Sequence, residues 1–199
     1  MVGFHMISTN MLCNSACFTS GTPGAPKGIR LTHANLTGAF PVLPLLGAVP
    51  GREVVLSFLP LAHIFGRTVD LGYFSLGASI CYAPDLERVP EAMRRHRPTV
   101  FAAVPRVFEK AYAKVQDRLA SSPRWMRTLA SWFPDRLLYR RIREGMGGRL
   151  RCVISGGAPL PPDILRFFLA AGVPIYEGYG LTEAGVLTVN LPGKVRVGT

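Results

Sequence analysis

Short apolar runs rich in β-branched residues alternate with helix-length segments along most of this 199-residue chain. This alternation is typical of α/β folds with parallel strands, because each helix carries the chain back across the sheet. We therefore expect a mostly parallel, open sheet flanked by helices. The sequence predicts strands at 54–59, 79–83, 99–103, 150–154 and 173–176. It predicts helices at about 64–76, 85–96, 106–120 and 161–171, and a helical, arginine-rich segment at 123–145 that Pro134 interrupts.

The bulk composition favours a cytoplasmic protein with one substantial core. Hydrophobic residues make up 48% of the chain, which is enough for a sizeable interior at this length. The longest apolar run, 39–49, is interrupted by Pro41 and Pro44 and is too short to span a bilayer. The N-terminus lacks the order of charges and apolar residues found in a secretion signal. Four cysteines without paired spacing predict reduced thiols.

The chain is strongly basic, with a net charge of +11 and its arginines concentrated between Arg88 and Arg151. This region lacks a nucleic-acid-binding motif and does not interleave aromatic with basic residues, so we expect no nucleic-acid partner. A solvated helical face is the plainest interpretation. The alternatives are attraction to the phosphates of a substrate or to anionic lipid headgroups, the latter giving peripheral membrane contact.

The loop from Thr19 to Gly28 combines three hydroxyls, three glycines, two prolines and one lysine. Glycines let backbone N–H groups approach anionic oxygens, hydroxyls add donors, and Lys27 supplies a positive charge. The same composition also occurs in ordinary surface turns. It is not a Walker A loop, because Pro26 precedes Lys27, Gly28 follows it, and residues 29–32 predict a strand instead of a helix. A polyphosphate would therefore be held by a hairpin-like loop.

Two further clusters follow the fourth and fifth predicted strands. The first is Ser155–Pro159 and the second is Glu177–Glu183. Ligands of open α/β sheets bind beyond the carboxyl ends of strands, so both clusters are placed to line one crevice. Tyr179 lies between two glycines and has a ring face suited to stacking on a base. Thr182 can bond a phosphate, and Glu183 is an oxygen ligand suited to Mg²⁺.

Four motifs in this order resemble the adenylate-forming superfamily, which contains acyl-CoA synthetases, luciferases and peptide-synthetase adenylation domains. The first and last are the Thr19–Gly28 loop and Gly178-Tyr179-Gly180-Leu181-Thr182-Glu183. The segment 58–67 looks like a third family motif, and 97–110 is similar to the long-chain fatty acyl-CoA synthetase branch. The resemblance runs from about Phe18 to Thr199 and leaves residues 1–17 as an atypical N-terminal segment.

The resemblance implies a fatty acid–CoA ligase that uses ATP, Mg²⁺ and CoA. A fatty-acid carboxylate attacks the α-phosphate of ATP, and CoA then displaces AMP from the acyl-adenylate. The β- and γ-phosphates would be held by Thr19, Ser20, Gly21, Thr22, Gly24 and Lys27. The adenine would be bordered by Gly156, Gly157 and Ala158, with Tyr179 stacked on it and Glu177, Gly178 and Gly180 close by. Thr182 would contact the α-phosphate, Glu183 with Thr19 would bind Mg²⁺, and His63 would lie at the mouth of the acyl pocket.

The sequence departs from the family pattern in two respects. Pro23 stands where the family usually has Thr or Ser, which removes a hydroxyl and an N–H donor from the phosphate loop. We also expect a partial domain without the small C-terminal domain and its catalytic lysine. The alternative function is therefore a nucleotide-binding remnant that binds ATP or AMP without turnover. A serine hydrolase is excluded, because Ser155 lacks the Gly-x-Ser-x-Gly frame.

Overall fold

The computed structural model describes residues 15–19, 27–121 and 134–198 of the chain. Its described strands form two sheets. The smaller sheet is an antiparallel hairpin of β1 (Ser15–Thr19) and β2 (Lys27–Leu31). The strands of the larger sheet are β3 (Val54–Ser57), β4 (Ser79–Tyr82), β5 (Val100–Ala103), β6 (Cys152–Gly156), β7 (Ile175–Leu181) and β8 (Gly185–Val189).

The larger sheet has the strand order β4-β3-β5-β6-β7-β8, and helices cover its two faces. All neighbouring strands pair in parallel except β7 and β8, which are antiparallel. The predicted α/β class is therefore confirmed. The helices are α1 (His33–Thr37), α2 (Ile64–Ser75), α3 (Val89–His96), α4 (Pro105–Ala120), α5 (Pro134–Gly145) and α6 (Pro162–Ala170), with short 3₁₀ turns at Phe40–Val42 and Pro44–Leu46.

All five strands predicted for the main sheet form, and the largest differences lie at element ends. The helix predicted from Asp85 begins at Val89, because the Asp85 side chain accepts a hydrogen bond from the Arg88 N–H (2.8 Å) and holds a turn there. The strand predicted to end at Tyr176 continues to Leu181, where β8 pairs with it. The predicted segment 123–145 forms α5 from Pro134, and its residues 123–133 lie outside the described part of the chain.

The sheet separates two hydrophobic cores. One core contains Phe101, Phe108 and Phe168 and is covered by α3, α4, α5 and α6. The other contains Val55, Tyr73 and the 3₁₀ turns, and α2 covers it. Side chains of β3, β5 and β6 are buried on both faces, as expected for central parallel strands.

A buried glutamate links the N-terminal ends of three central strands, at the end of the sheet away from the candidate site. The Glu53 carboxylate accepts hydrogen bonds from the Val49 N–H (2.8 Å), the Thr99 hydroxyl (2.5 Å) and the Arg151 guanidinium (2.6 Å). Thr99 in turn accepts a bond from the Val54 N–H (2.9 Å). Because these residues precede or begin β3, β5 and β6, the network holds the register of the sheet centre.

The described residues contain no helix that is both long and apolar enough to cross a bilayer. Cys17, Cys81 and Cys152 are free thiols, as the cysteine spacing predicts; Cys13 lies outside the described residues.

Candidate functional site

The carboxyl ends of β6 and β7 bring the two glycine-containing clusters together. Ser155 is in register with Glu177, and Gly156 with Gly178. A Cβ atom at Gly156 would come within 3.1 Å of the Phe65 ring and 3.4 Å of the Gly178 carbonyl oxygen. Gly157 has φ of +85°, a conformation that side-chain-bearing residues rarely adopt. The two glycines thus serve different needs, close approach of a ring at 156 and a backbone turn at 157.

Two buried side-chain oxygens in this cluster lack a hydrogen-bond partner. The Glu177 carboxylate accepts a bond from the Leu160 N–H through Oε1 (3.0 Å), while its Oε2 is buried and unpartnered. The Ser155 hydroxyl is also buried and unpartnered. Residues paired across parallel strands project to the same face of the sheet, so both oxygens belong to one polar position. Unsatisfied buried oxygens are rare and indicate a place where a donor can bind.

Tyr179 presents an uncovered ring beside this position. It lies in β7 with 59% of its surface exposed. The register between β7 and β8 shifts between Tyr179 and Gly180. A Cβ at Gly180 would overlap the Gly185 carbonyl oxygen, so this glycine allows the two strands to approach closely. Tyr179 is therefore free to stack on a planar ligand, and Gly180 has a packing role in the hairpin.

Thr182 and Glu183 occupy the turn between β7 and β8. The Ala184 N–H donates to the Leu181 carbonyl (3.2 Å) and closes this turn. A Cβ at Gly185 would lie 3.0 Å from the Asn35 carbonyl oxygen, so the turn packs against α1. Because α1 directly follows β2, the hairpin that carries the Thr19–Gly28 loop is connected to the turn that carries Thr182 and Glu183.

The predicted phosphate loop is described at its two ends. Thr19 and Lys27 are register partners at the end of the β1–β2 hairpin, which confirms the predicted hairpin arrangement and the strand expected at 29–32. Ser20, Gly21, Thr22 and Gly24 lie outside the described residues. Of Ala158, the structure shows that it is exposed immediately after Gly157.

His63 is exposed at the residue before α2. The neighbouring Ala62 carbonyl accepts a hydrogen bond from the Cys17 thiol of β1 (3.6 Å), which places His63 beside the hairpin that carries the phosphate loop. Two residues further on, Phe65 reaches the Gly156 backbone. Sequence reasoning selected His63 from the 58–67 motif and missed Phe65, although the aromatic residue in that motif was the available signal. It also missed Ser155 as a site residue.

The Cys152 thiol lies at the start of β6, at the opposite end of the strand from the candidate site. Cys152, on β6, is buried, and burial raises the pKa of its thiol to about 12. Its sulfur accepts a hydrogen bond from the Tyr73 hydroxyl (3.8 Å), and burial likewise raises the pKa of Tyr73 above its usual range. Both groups stay protonated at neutral pH, which excludes thiolate chemistry at this position.

Among the described residues, no group of three or more His, Cys, Asp or Glu side chains is arranged to hold a metal ion. The exposed Glu183 carboxylate can still supply one ligand. Mg²⁺ usually takes one or two protein carboxylates and completes its shell with substrate phosphates and water. The donors present therefore fit a Mg²⁺ ion that arrives with a nucleotide.

Comparison with known proteins identifies a matching family and curated relatives. Residues 13–199 match the family described as AMP-binding enzyme. The long-chain-fatty-acid–CoA ligase FadD15 of Mycobacterium tuberculosis is 33% identical, with 92% of this chain matched to 35% of that protein. The rat long-chain-fatty-acid–CoA ligase 5 is 35% identical, over 92% of this chain and 30% of the relative. This chain thus spans about a third of the length of these curated relatives.

Solved structures show the same fold. The ATP-bound crystal structure of MatB from Rhodopseudomonas palustris superposes with a TM-score of 0.64 at 29% identity, covering 92% of this chain and 32% of that one. The o-succinylbenzoate CoA synthetase of Bacillus subtilis, in complex with its acyl-adenylate intermediate, gives a TM-score of 0.66 at 23% identity, over 92% of this chain and 33% of that chain.

Proposed function

Because the chain belongs to the AMP-binding enzyme family, we propose that it forms the nucleotide-binding part of an ATP-dependent fatty acid–CoA ligase. Its small-molecule partners are then ATP, a fatty acid and CoA. The observation that carries this proposal is the unpartnered Glu177 Oε2 beside the exposed ring of Tyr179.

Adenine fits these two features. Its flat ring can stack on the Tyr179 ring, and its 6-amino group can donate to Glu177 Oε2 or, through a water, to the Ser155 hydroxyl. Guanine carries a carbonyl oxygen at the same ring position. That oxygen and Glu177 Oε2 are both hydrogen-bond acceptors, so they would repel each other. Gly157, Gly178 and the small Ala158 place little side-chain bulk beside the base. The site therefore favours ATP over GTP.

The phosphates extend from the base toward the turn and the loop. In this arrangement Thr182 contacts the α-phosphate, while Thr19, Lys27 and the glycines and hydroxyls of residues 20–24 bind the β- and γ-phosphates. Bound Mg²⁺, held by Glu183 with Thr19, would neutralise part of the phosphate charge. Pro23 offers neither a hydroxyl nor an N–H to this loop. We expect this proline to lower the affinity for ATP by about tenfold to a hundredfold, because one charge-assisted hydrogen bond is lost.

The reaction requires an anionic carboxylate to meet an anionic phosphate, so the site acts by positioning and charge neutralisation. A carboxylate oxygen of the fatty acid attacks the α-phosphorus, and the bond from that phosphorus to the bridging oxygen of pyrophosphate breaks. We expect the acyl carboxylate to approach the α-phosphate from the side of α2, past His63 and Phe65. In the second half-reaction the CoA thiol attacks the acyl carbon, and AMP leaves.

A nucleotide titration with two substitutions of Tyr179 tests the base site. Tyr179→Ala should weaken Mg-ATP binding by about fivefold to a hundredfold, because base–aromatic stacking contributes about 1–3 kcal/mol. Tyr179→Phe keeps the ring and should bind within about twofold of the parent chain. Calorimetric titration measures both, and Pro23→Thr in the same assay should tighten binding. Equal losses for the Ala and Phe variants would exclude a stacking role.

Pyrophosphate exchange separates the ligase from a nucleotide-binding remnant. Fatty-acid-dependent incorporation of labelled pyrophosphate into ATP would show that the chain forms the acyl-adenylate. Circular dichroism checks that the protein in this assay is folded. If the folded protein binds Mg-ATP but shows no exchange, the result would support the nucleotide-binding remnant.

A further inference from the structure

Exposed arginines of the predicted basic region lie on two outer helices that pack against each other. Helix α3 packs against α5, and the turn after α5 meets the end of α3: a Cβ at Gly147 would lie 2.6 Å from the Met93 carbonyl oxygen. We define the basic patch as six exposed arginines on these two helices and the following loops. They are Arg94, Arg95, Arg97, Arg141, Arg143 and Arg149.

Two members of the basic patch are fixed by carbonyl groups, which leave their charge uncompensated. The Arg97 Nε donates to the Gly147 carbonyl (3.1 Å), and Arg143 donates to the Ala171 carbonyl at the end of α6 (2.9 Å). These bonds lock the loop that presents Arg149. They also hold α5, which carries Arg141, against the rest of the layer.

The other four members have no anionic partner within the described part of the chain. Arg94, Arg95, Arg141 and Arg149 make no ion pair or side-chain hydrogen bond there. The described acidic side chains of α3 and α5 are Glu91 and Glu144, and Glu144 is paired with Arg140 (2.7 Å). A cluster of like charges held together without counterions costs folding energy and indicates an anionic partner.

The basic patch is far from the proposed nucleotide site. Arg97 and Arg149 precede β5 and β6, whereas the site lies where β6 and β7 end. The length of β6 separates these two ends of the sheet by roughly 15 Å. The patch therefore does not serve the nucleotide phosphates at that site.

The basic patch also lies on the outward layer of the molecule. The exposed large hydrophobic side chains of the described residues all fall outside 83–178, on α2, on the segments around it, on β4 and on the β7–β8 hairpin. The faces suited to further protein contacts are therefore elsewhere, and the α3–α5 layer remains open to solvent.

We propose that the basic patch docks the protein on a bilayer surface that contains anionic lipids. Two adjacent helices offer a broad charged surface, and guanidinium groups pair well with lipid phosphates. Single-stranded RNA is less well matched, because it requires exposed aromatic rings and the described patch has none: Tyr139 of α5 packs against Phe167. The proposal rests on the proposed function in one respect, since a long-chain fatty acid is taken most readily from a bilayer.

Vesicle co-sedimentation of the complete chain tests this proposal without ATP. The chain should bind vesicles of phosphatidylcholine and phosphatidylglycerol in equal amounts, fail to bind pure phosphatidylcholine, and dissociate as salt screens the charges. Each arginine near an anionic surface contributes about fivefold to affinity. Replacing Arg94, Arg95, Arg141 and Arg149 by Gln should therefore lower affinity by roughly several hundredfold.

A matched control removes the same charge from other exposed positions. Arg52, Lys110, Lys114 and Lys194 changed together to Gln should lower affinity less than about threefold. Equal losses in the two quadruple variants would overturn the proposal, as would binding of pure phosphatidylcholine at the same affinity. Patch-dependent binding of a single-stranded RNA that outcompetes the vesicles would overturn it in favour of RNA.

Two further measurements keep the result interpretable. The parent chain's own dependence on lipid charge and salt decides the question even if the quadruple variant does not fold. The pair Arg94→Gln/Arg95→Gln, on one exposed helix end, should give a loss of about tenfold or more. Pyrophosphate exchange without vesicles tests the proposed function separately, so either proposal can fail while the other stands.

Discussion

At the scale of single residues, the candidate site depends on what glycines permit. Gly156 admits the Phe65 ring, and Gly157 takes a left-handed conformation. The constraint at Gly156 comes from a ring that is remote in sequence, and the constraint at Gly157 comes from its own backbone angle, although the two residues are adjacent. Substitution by alanine should therefore have different consequences at the two positions.

We predict that Gly156→Ala destabilises the fold by about 1–3 kcal/mol, because the new methyl forces the Phe65 ring to move. Adding Phe65→Leu should recover part of this loss, so the double variant costs less than the sum of the single ones. Gly157→Ala should cost about 1–2 kcal/mol from its positive φ, and Phe65→Leu should not relieve it. Urea denaturation measures the parent chain, the three single variants and the two double variants. Additive losses at Gly156 would show that the ring contact is not the cause.

At the scale of elements, a buried carboxyl joins α2 to the edge of the sheet. Asp70 of α2 accepts a hydrogen bond from the Ser57 hydroxyl at the end of β3 (2.9 Å) and interacts with Tyr82 at the end of β4. Burial is the largest influence on Asp70 and raises the pKa of its carboxyl, partly offset by these two hydrogen bonds. The folded chain therefore holds this proton to a higher pH than the unfolded chain does.

A raised pKa means that Asp70 contributes stability at low pH, and that this contribution is lost as pH rises through the folded-state pKa. We predict that Asp70→Asn makes the chain more stable at pH 7.5. The difference in free energy of unfolding between the variant and the parent chain should narrow as pH falls toward 4. Denaturant midpoints across this range measure the effect. Asp163→Asn, at an exposed carboxylate of α6, is the control and should change stability little throughout. A gap of constant size would exclude ionisation of Asp70 as the cause.

At the scale of the whole molecule, apolar exposure is concentrated on one side. Phe74 and Leu71 of α2 are 71% and 41% exposed, although α2 buries its opposite face against the sheet. A helix that is apolar on both sides is normally covered on both. The outer face of α2 is therefore the surface at which this chain would meet further protein.

We predict that Leu71→Ser/Phe74→Ser reduces self-association of the chain without lowering its melting temperature by more than a few degrees, since exposed residues contribute little to the core. Sedimentation velocity over a concentration series measures the association. Ala113→Ser/Gln116→Ser, at exposed positions of α4, should leave association unchanged. Loss of association in this control would show that the α2 face is not responsible.

Sequence reasoning predicted the elements that local patterns determine and missed those that depend on a partner. The buried runs of β3, β5 and β6 were predicted because a central parallel strand is apolar on both faces. β8 was missed, because 185–189 becomes a strand through pairing with β7 across a turn. Within the site, Gly156, Glu177 and Tyr179 were predicted from their motifs. The contact of Phe65 with Gly156 was missed, because 91 residues separate the two in the chain. All the assigned roles stay predictions, both in the Thr19–Gly28 loop, Pro23 included, and at His63, Gly156, Glu177, Tyr179, Thr182 and Glu183.

The sequence by itself determined the α/β class and the family, because these depend on periodicity and on residue type in short motifs. The roles of the Thr19–Gly28 loop, of Tyr179 and of Glu183 stay predictions from the same motifs. The tertiary structure alone decided that Ser155 and Glu177 meet with unpartnered oxygens and that the β7–β8 turn rests on α1. It also decided that arginines from α3 and α5 share one surface. Each of these results comes from packing between segments far apart in the chain, and a local pattern carries no record of such contacts.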